Sequence, residues 1–140
     1  NKVMEKSPQA EAISNSLKKE FQARDQDLIA KAKQLKQLED KLARDAAVMS
    51  AEEAKRLEND IRSRRRQLTT SRAEFREDAN LRRNEAVNRL LRKVGEVVSQ
   101  IGEEEKVDVI LTDGVAYFNK RVDLTTKVLQ RLEELHKTSN

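Results

Sequence analysis

The sequence predicts a mostly α protein with a small β body, in which a long antiparallel helical hairpin forms an arm and short strands form an oligomeric β-body. Three observations lead there. Helix-type sequence runs almost uninterrupted from about Pro8 to about Glu105, with one fold in the middle. Charged residues make up 39% of the chain and hydrophobic ones 36%, with only three glycines and one proline, a composition of long helices or coiled coil rather than of a compact globule. A short and different segment, Val107-Asp-Val-Ile-Leu-Thr-Asp-Gly-Val-Ala-Tyr-Phe118, then breaks the pattern. Disorder is the rival reading of so charged a chain. The periodicity of its apolar residues argues against it.

The first helix starts at Ser7-Pro8, a capping hydroxyl followed by proline at the first helical position. Phe21, Leu28, Leu35, Leu42 and Met49 follow at intervals of seven, one stripe of coiled-coil type. Its companion positions hold Arg24, Lys31 and Asp45, so the seam is narrow and half polar. The stretch Asp45-Ala-Ala-Val-Met-Ser50 is the break. Ser50 with Glu53 forms a capping box that starts a second helix. This helix repeats the design with Leu57, Ile61, Leu68 and Phe75 beside Arg64, Ser71 and Asp78. Two such narrow stripes predict an antiparallel hairpin, with legs of roughly 40 residues spanning about 60 Å.

Beyond Arg83 the apolar face broadens through Val87, Leu90, Leu91, Val94, Val97, Val98 and Ile101, as in a helix that enters a packed body. Ile13, Leu17 and Phe21 are its counterparts on the first helix. Gly102 and the acidic run after it end this helix. Alternation then predicts strands at 107–112 and 115–118 around a Thr112-Asp-Gly114 turn, and Asp123 caps a last helix over 124–137. The arm is therefore assigned to 8–86, with its tip near 45–50, and the body to 1–7 and 87–140. Two strands alone are marginal in water and leave open edges. The predicted sheet is completed by further copies of the chain, with Val107, Val109, Leu111, Val115, Tyr117 and Phe118 as the oligomerisation residues. Alternation sends Tyr117 and Phe118 to opposite faces, one to the core and the other to a subunit contact.

Several function classes recede on composition. The three glycines cannot build a phosphate-binding loop, so no nucleotide or other cofactor is expected. The chain lacks cysteine, which excludes a disulfide framework and any cysteine metal site, and its one histidine, His136, has no ligating partners nearby. No nucleophile, base and orienting group come together in the sequence, so an enzyme is not expected. A net charge of +4 favours acidic partners. Nonspecific nucleic-acid binding is one alternative that this charge raises, but aromatic content is only 3% and no base-reading motif is present. A coiled-coil adaptor with one fixed partner helix is the other; it predicts a better-filled seam than this one.

The ending Asp108-Val-Ile-Leu-Thr-Asp113, Val115-Ala-Tyr117, Asp123-Leu-Thr and Val128-Leu resembles the closing segment of the Skp/OmpH family of periplasmic chaperones. The charged hairpin and Arg82-Arg-Asn-Glu85 on its return helix are similar to that family as well. The resemblance implies a jellyfish-like homotrimer whose arms enclose a cavity. It implies an ATP-independent holdase that binds unfolded outer-membrane proteins and prevents their aggregation, in the periplasm, with its signal peptide removed. The family opens with a hydrophobic strand ahead of the first helix, whereas this chain begins at Asn1-Lys-Val-Met4, where that strand has already passed.

Two client- or anion-binding candidates follow. Arg62, Arg64, Arg65 and Arg66, with Arg82 and Arg83, are either a solvated helix face paired to nearby acids or an anion-facing inner surface. The family's link to lipopolysaccharide makes Arg82 and Arg83 the candidates for anionic lipid. Val48 and Met49 at the tip either close the hairpin or form an apolar fingertip, for which methionine's flexible, polarisable side chain is suited.

Overall fold

The computed structural model describes residues 2–138. In chain order it contains α1 (Lys2–Lys6), α2 (Pro8–Asp45), α3 (Ala51–Glu105), a 3-10 turn (Lys120–Val122) and α4 (Thr125–Thr138). Two compact units divide the chain: Lys18–Leu81, and Asn1–Leu17 with Arg82–Asn140. Asn1, Ser139 and Asn140, which the sequence reading assigned to the body, lie outside the described residues.

The unit Lys18–Leu81 is an antiparallel helix pair closed along one seam. Leu28 and Leu35 of α2 meet Ile61 and Leu68 of α3, and Leu38, Leu42, Leu57 and Phe75 extend the cluster. Burying each such aliphatic side chain contributes roughly 1.5–3 kcal/mol. The turn between the helices is anchored by the Asp45 carbonyl, which accepts from Val48 N at 3.0 Å and Met49 N at 3.1 Å. Ser50 Oγ then accepts from Glu53 N at 3.2 Å while the Glu53 carboxylate takes Ser50 N at 3.0 Å, the reciprocal capping box expected at the start of α3. The Glu53 carboxyl is held below its ordinary range by this bond from the Ser50 backbone N–H.

The polar companions along the seam are not gaps. Arg24 Nη1 bonds Asp78 Oδ2 at 2.7 Å across the two helices. Its guanidinium lies 5.8 Å from the Phe21 ring centre and 5.7 Å from that of Phe75. The two rings meet edge to face at 5.6 Å and 89°. Sequence spacing alone read Arg24 and Asp78 as defects, because it cannot pair positions 54 residues apart.

The other unit is built on Val97, Ile101, Val128 and Leu132, with Val3, Val94, Val98, Leu124 and Leu135 around them. Leu132 is 0% and Val97 1% exposed. Ser7 caps α2 by accepting from Ala10 N at 3.2 Å and is buried itself. From the first turn of α2, Gln9 donates its amide N–H to the Leu132 carbonyl. Arg131 forks onto both Glu104 oxygens at 3.1 and 2.9 Å, and Lys127 reaches Glu105 at 2.5 Å, so α4 is fastened to the last turn of α3. The α4 start follows the expected cap, with Asp123 Oδ1 accepting from Thr125 N at 3.0 Å.

α3 ends in a Schellman motif. Val107 N bonds the Gly102 carbonyl at 3.1 Å, Lys106 N bonds that of Glu103 at 3.3 Å, and Lys106 takes the left-handed conformation with φ 54. The chain therefore reverses at Lys106 rather than at Gly102. Gly102 serves packing instead: a Cβ there would stand 3.3 Å from Ile110 Cδ1.

The structure corrects the fold class. Among the described residues all regular structure is helical, and no strand or β-body is present. Residues 107–118, read as strands 107–112 and 115–118, form an irregular connection instead. Alternating apolar residues give a segment the propensity for a strand, but a strand exists only by pairing with a neighbour. Among the described residues Val107, Val109, Leu111, Val115, Tyr117 and Phe118 have no ladder partner. Tyr117 is 84% exposed and Phe118 is exposed as well, so neither is a core residue as alternation had assigned one of them.

Candidate functional site: exposed apolar and basic surfaces

The connection between α3 and α4 concentrates the exposed apolar surface of its unit. Val109, at 73%, Leu111, at 69%, and Tyr117 are the most open, and Val107, Val115, Phe118 and Val122 accompany them. Scattered exposed hydrophobics are normal on a soluble surface. A run of seven within 16 residues is instead an uncovered patch of the kind that marks a protein contact. Its framework is fixed at both ends, by the Lys106 reversal and by the 3-10 turn, where Asn119 Oδ1 accepts from Arg121 N at 3.0 Å.

The arginines singled out on α3 separate into two groups. Arg64 bonds Asp60 at 2.9 Å one turn back, Arg65 crosses to Glu39 of α2 at 2.5 Å, and Arg82 reaches Glu85 at 3.3 Å. Arg62, Arg66 and Arg83 are exposed and form no ion pair among the described residues. The pairs are about half exposed, where screening leaves them worth about 0–1 kcal/mol each. At the turn, Val48 is 86% exposed while Met49 is half-buried, so the two neighbours differ in what they offer a partner.

The unit that holds α4 also carries a shallow groove of about 350 Å³, lined by Ala12, Ile13, Ala86 and Leu90 with Arg89, Lys93 and His136. Gln9 lines it too, and its buried Oε1 has no hydrogen-bond partner. His136, read from the sequence as a surface residue of a last helical turn, is half-buried here. Among the described residues no group of three or more His, Asp or Glu side chains is placed to hold a metal ion. No helix among them is long and apolar enough to cross a membrane.

What sequence reasoning missed is the Phe21–Arg24–Phe75–Asp78 cluster and the short helix α1. The cluster had a signal: an arginine and an aspartate each three residues after a seam phenylalanine, one set on each helix. α1 had none, since five residues carry too little periodicity to read.

Comparison with known proteins gives one family and a consistent set of relatives. Residues 1–132 match the family described as outer membrane protein (OmpH-like). The chaperone protein Skp of Pectobacterium atrosepticum is 28% identical over 132 residues, covering 94% of this chain and 80% of the relative. The chaperone protein Skp of Yersinia enterocolitica is 27% identical over 134 residues, covering 95% and 82%. That of Salmonella typhimurium is 27% identical over 127 residues, covering 89% and 77%.

Proposed function

The chain belongs to the OmpH-like family, and from that premise we propose that it is an ATP-independent holdase chaperone of the periplasm. It binds unfolded outer-membrane proteins and keeps them from aggregating, without chemistry of its own. The observation that carries the reading, beside the relatives' common identity as chaperones, is the pairing of a thin helical hairpin with a separate uncovered apolar patch. A hairpin closed by one narrow seam opens locally at modest cost, which suits a surface that must accommodate unlike chains. Binding of this kind is a passive equilibrium in which many weak contacts hold a client together while each exchanges quickly.

The working form is a homotrimer whose hairpins, over 8–86, are arms around a client cavity and whose remaining residues are the body. The subunits meet through Val107, Val109, Leu111, Val115, Tyr117 and Phe118; burying their exposed area supplies the driving force for assembly. Val48 and Met49 offer clients an apolar tip. Arg62, Arg66 and the paired Arg64 and Arg65 face acidic stretches of clients, and Arg82 and Arg83 attract anionic lipid head groups such as those of lipopolysaccharide. Native mass measurement tests the assembly: three chains alone, and three chains with one unfolded outer-membrane barrel. A monomer that takes up no barrel refutes it.

A further inference from the structure

The helix pair of Lys18–Leu81 has two flanks of opposite charge. Seam residues recur every seven positions, so the residues one and four places after each lie on one flank, and those one place before and two after lie on the other. The bridge from Glu39, four after Leu35, to Arg65, four after Ile61, shows that the two helices share these flanks. On the first flank Lys18, Lys36, Lys55, Arg62, Arg72 and Arg76 outnumber Asp25 and Glu58, apart from the bridged pair. None of the six cations forms an ion pair among the described residues. On the second flank Glu20, Asp27, Glu53, Asp60, Glu74 and Glu77 outnumber Lys41, Arg44 and Arg56. Lys31 and Arg64 bridge Asp27 and Asp60 from beside the seam, through pairs that are about half exposed and leave Glu74 and Glu77 outward.

We propose that the basic flank of one hairpin docks on the acidic flank of the same hairpin in the next copy of this chain. The occupant is identified by charge complementarity: in the part of the helix pair away from the turn, Lys18, Lys36, Arg72 and Arg76 on one flank match Glu20, Asp27, Glu74 and Glu77 on the other, whereas near the turn Lys41, Arg44 and Arg56 offset Glu53 and Asp60. Like flanks repel, so the contact is head-to-tail, and a head-to-tail contact closes into a ring under cyclic symmetry. The proposal rests on the oligomer proposed above. It adds that neighbouring hairpins hold one another electrostatically, and that the hold loosens as salt screens exposed charge.

The chain has no cysteine, so cross-linking reports the contact directly. The Arg24–Asp78 and Glu39–Arg65 bridges place Gln34 level with Thr69, both exposed, the first on the acidic flank and the second on the basic one. The full chain carrying Gln34→Cys and Thr69→Cys together should form interchain disulfides under mild oxidation up to a closed ring. Either substitution alone should form none. Yield should fall by roughly threefold or more between 0.01 and 1 M salt, as the screening length drops from about 30 to about 3 Å. Arg72→Glu with Arg76→Glu should abolish the link at unchanged helix content, and adding Glu74→Lys with Glu77→Lys should restore it. Cross-linking of the Thr69→Cys chain to itself, or an oligomer by mass in which the double variant never links, overturns the flank contact and leaves the oligomer standing. A monomer by mass overturns both.

Discussion

Replacing Phe75 with alanine should open the hairpin without disturbing the unit that holds α4. Phe75 is half-buried on the seam, so truncation forfeits about 1.5–2 kcal/mol of burial, toward the lower end for a phenylalanine. The edge-to-face pair with Phe21, at 5.6 Å, adds about 0.5–1.5 kcal/mol. Loss of one face of the Arg24 sandwich adds about 0.5 kcal/mol. Alanine returns about 0.5 kcal/mol as the better helix former. The net loss is about 2–3.5 kcal/mol, which at tenfold per 1.4 kcal/mol corresponds to exchange about 30- to 300-fold faster. Amide hydrogen exchange, resolved by residue at fixed protein concentration, reads it. The acceleration should fall on 18–30 and 70–81, the two stretches that the cluster ties together. An acceleration under about threefold there, or an equal one across α4, would refute the reasoning.

Leu132→Ala should cost about 3 kcal/mol, because the site is fully enclosed by Val97, Ile101 and Val128 and cannot collapse; denaturant unfolding at fixed concentration measures it. Lys106→Gly should stabilise by about 0.5–1 kcal/mol, since glycine adopts the left-handed φ at no steric cost, and a lower midpoint would mean the reversal is held by the lysine side chain instead. The Glu104 carboxyl is held below its ordinary range by the hydrogen bonds from Arg131. A depressed carboxyl stabilises above its unfolded value and loses that contribution as pH falls through the folded value, so the α3–α4 fastening weakens only in acid. A carbon-detected titration should show Glu104 moving up toward the ordinary glutamate range in Arg131→Gln, and no movement would remove the bridge as the cause.

The helices were legible because their signals are local. Ser7-Pro8, the break at 45–50, the Ser50–Glu53 box and the Asp123 cap each lie within four residues of the structure they specify. The seam was legible from spacing, and its buried members Phe21, Leu28, Leu35, Ile61 and Leu68 all belonged to the predicted stripes. What failed was non-local. Period-two alternation over 107–118 carries a propensity, but pairing decides a strand, and that segment has no partner among the described residues. Arg24 and Asp78 looked like interruptions for the same reason: each is explained only by the other. Lys106 escaped because a lysine at a left-handed position breaks the rule that glycine marks the reversal, and Gly102, which obeyed the rule, proved to be a packing residue. The exposed apolar residues were found as a segment, but with exposure in place of the expected sheet.

The most direct test of the chaperone account is light scattering after a urea-unfolded outer-membrane barrel is diluted into buffer without nucleotide, with and without this protein. The account predicts suppressed aggregation that saturates near one barrel per three chains. Unchanged scattering from a protein that is folded and oligomeric by mass would contradict it.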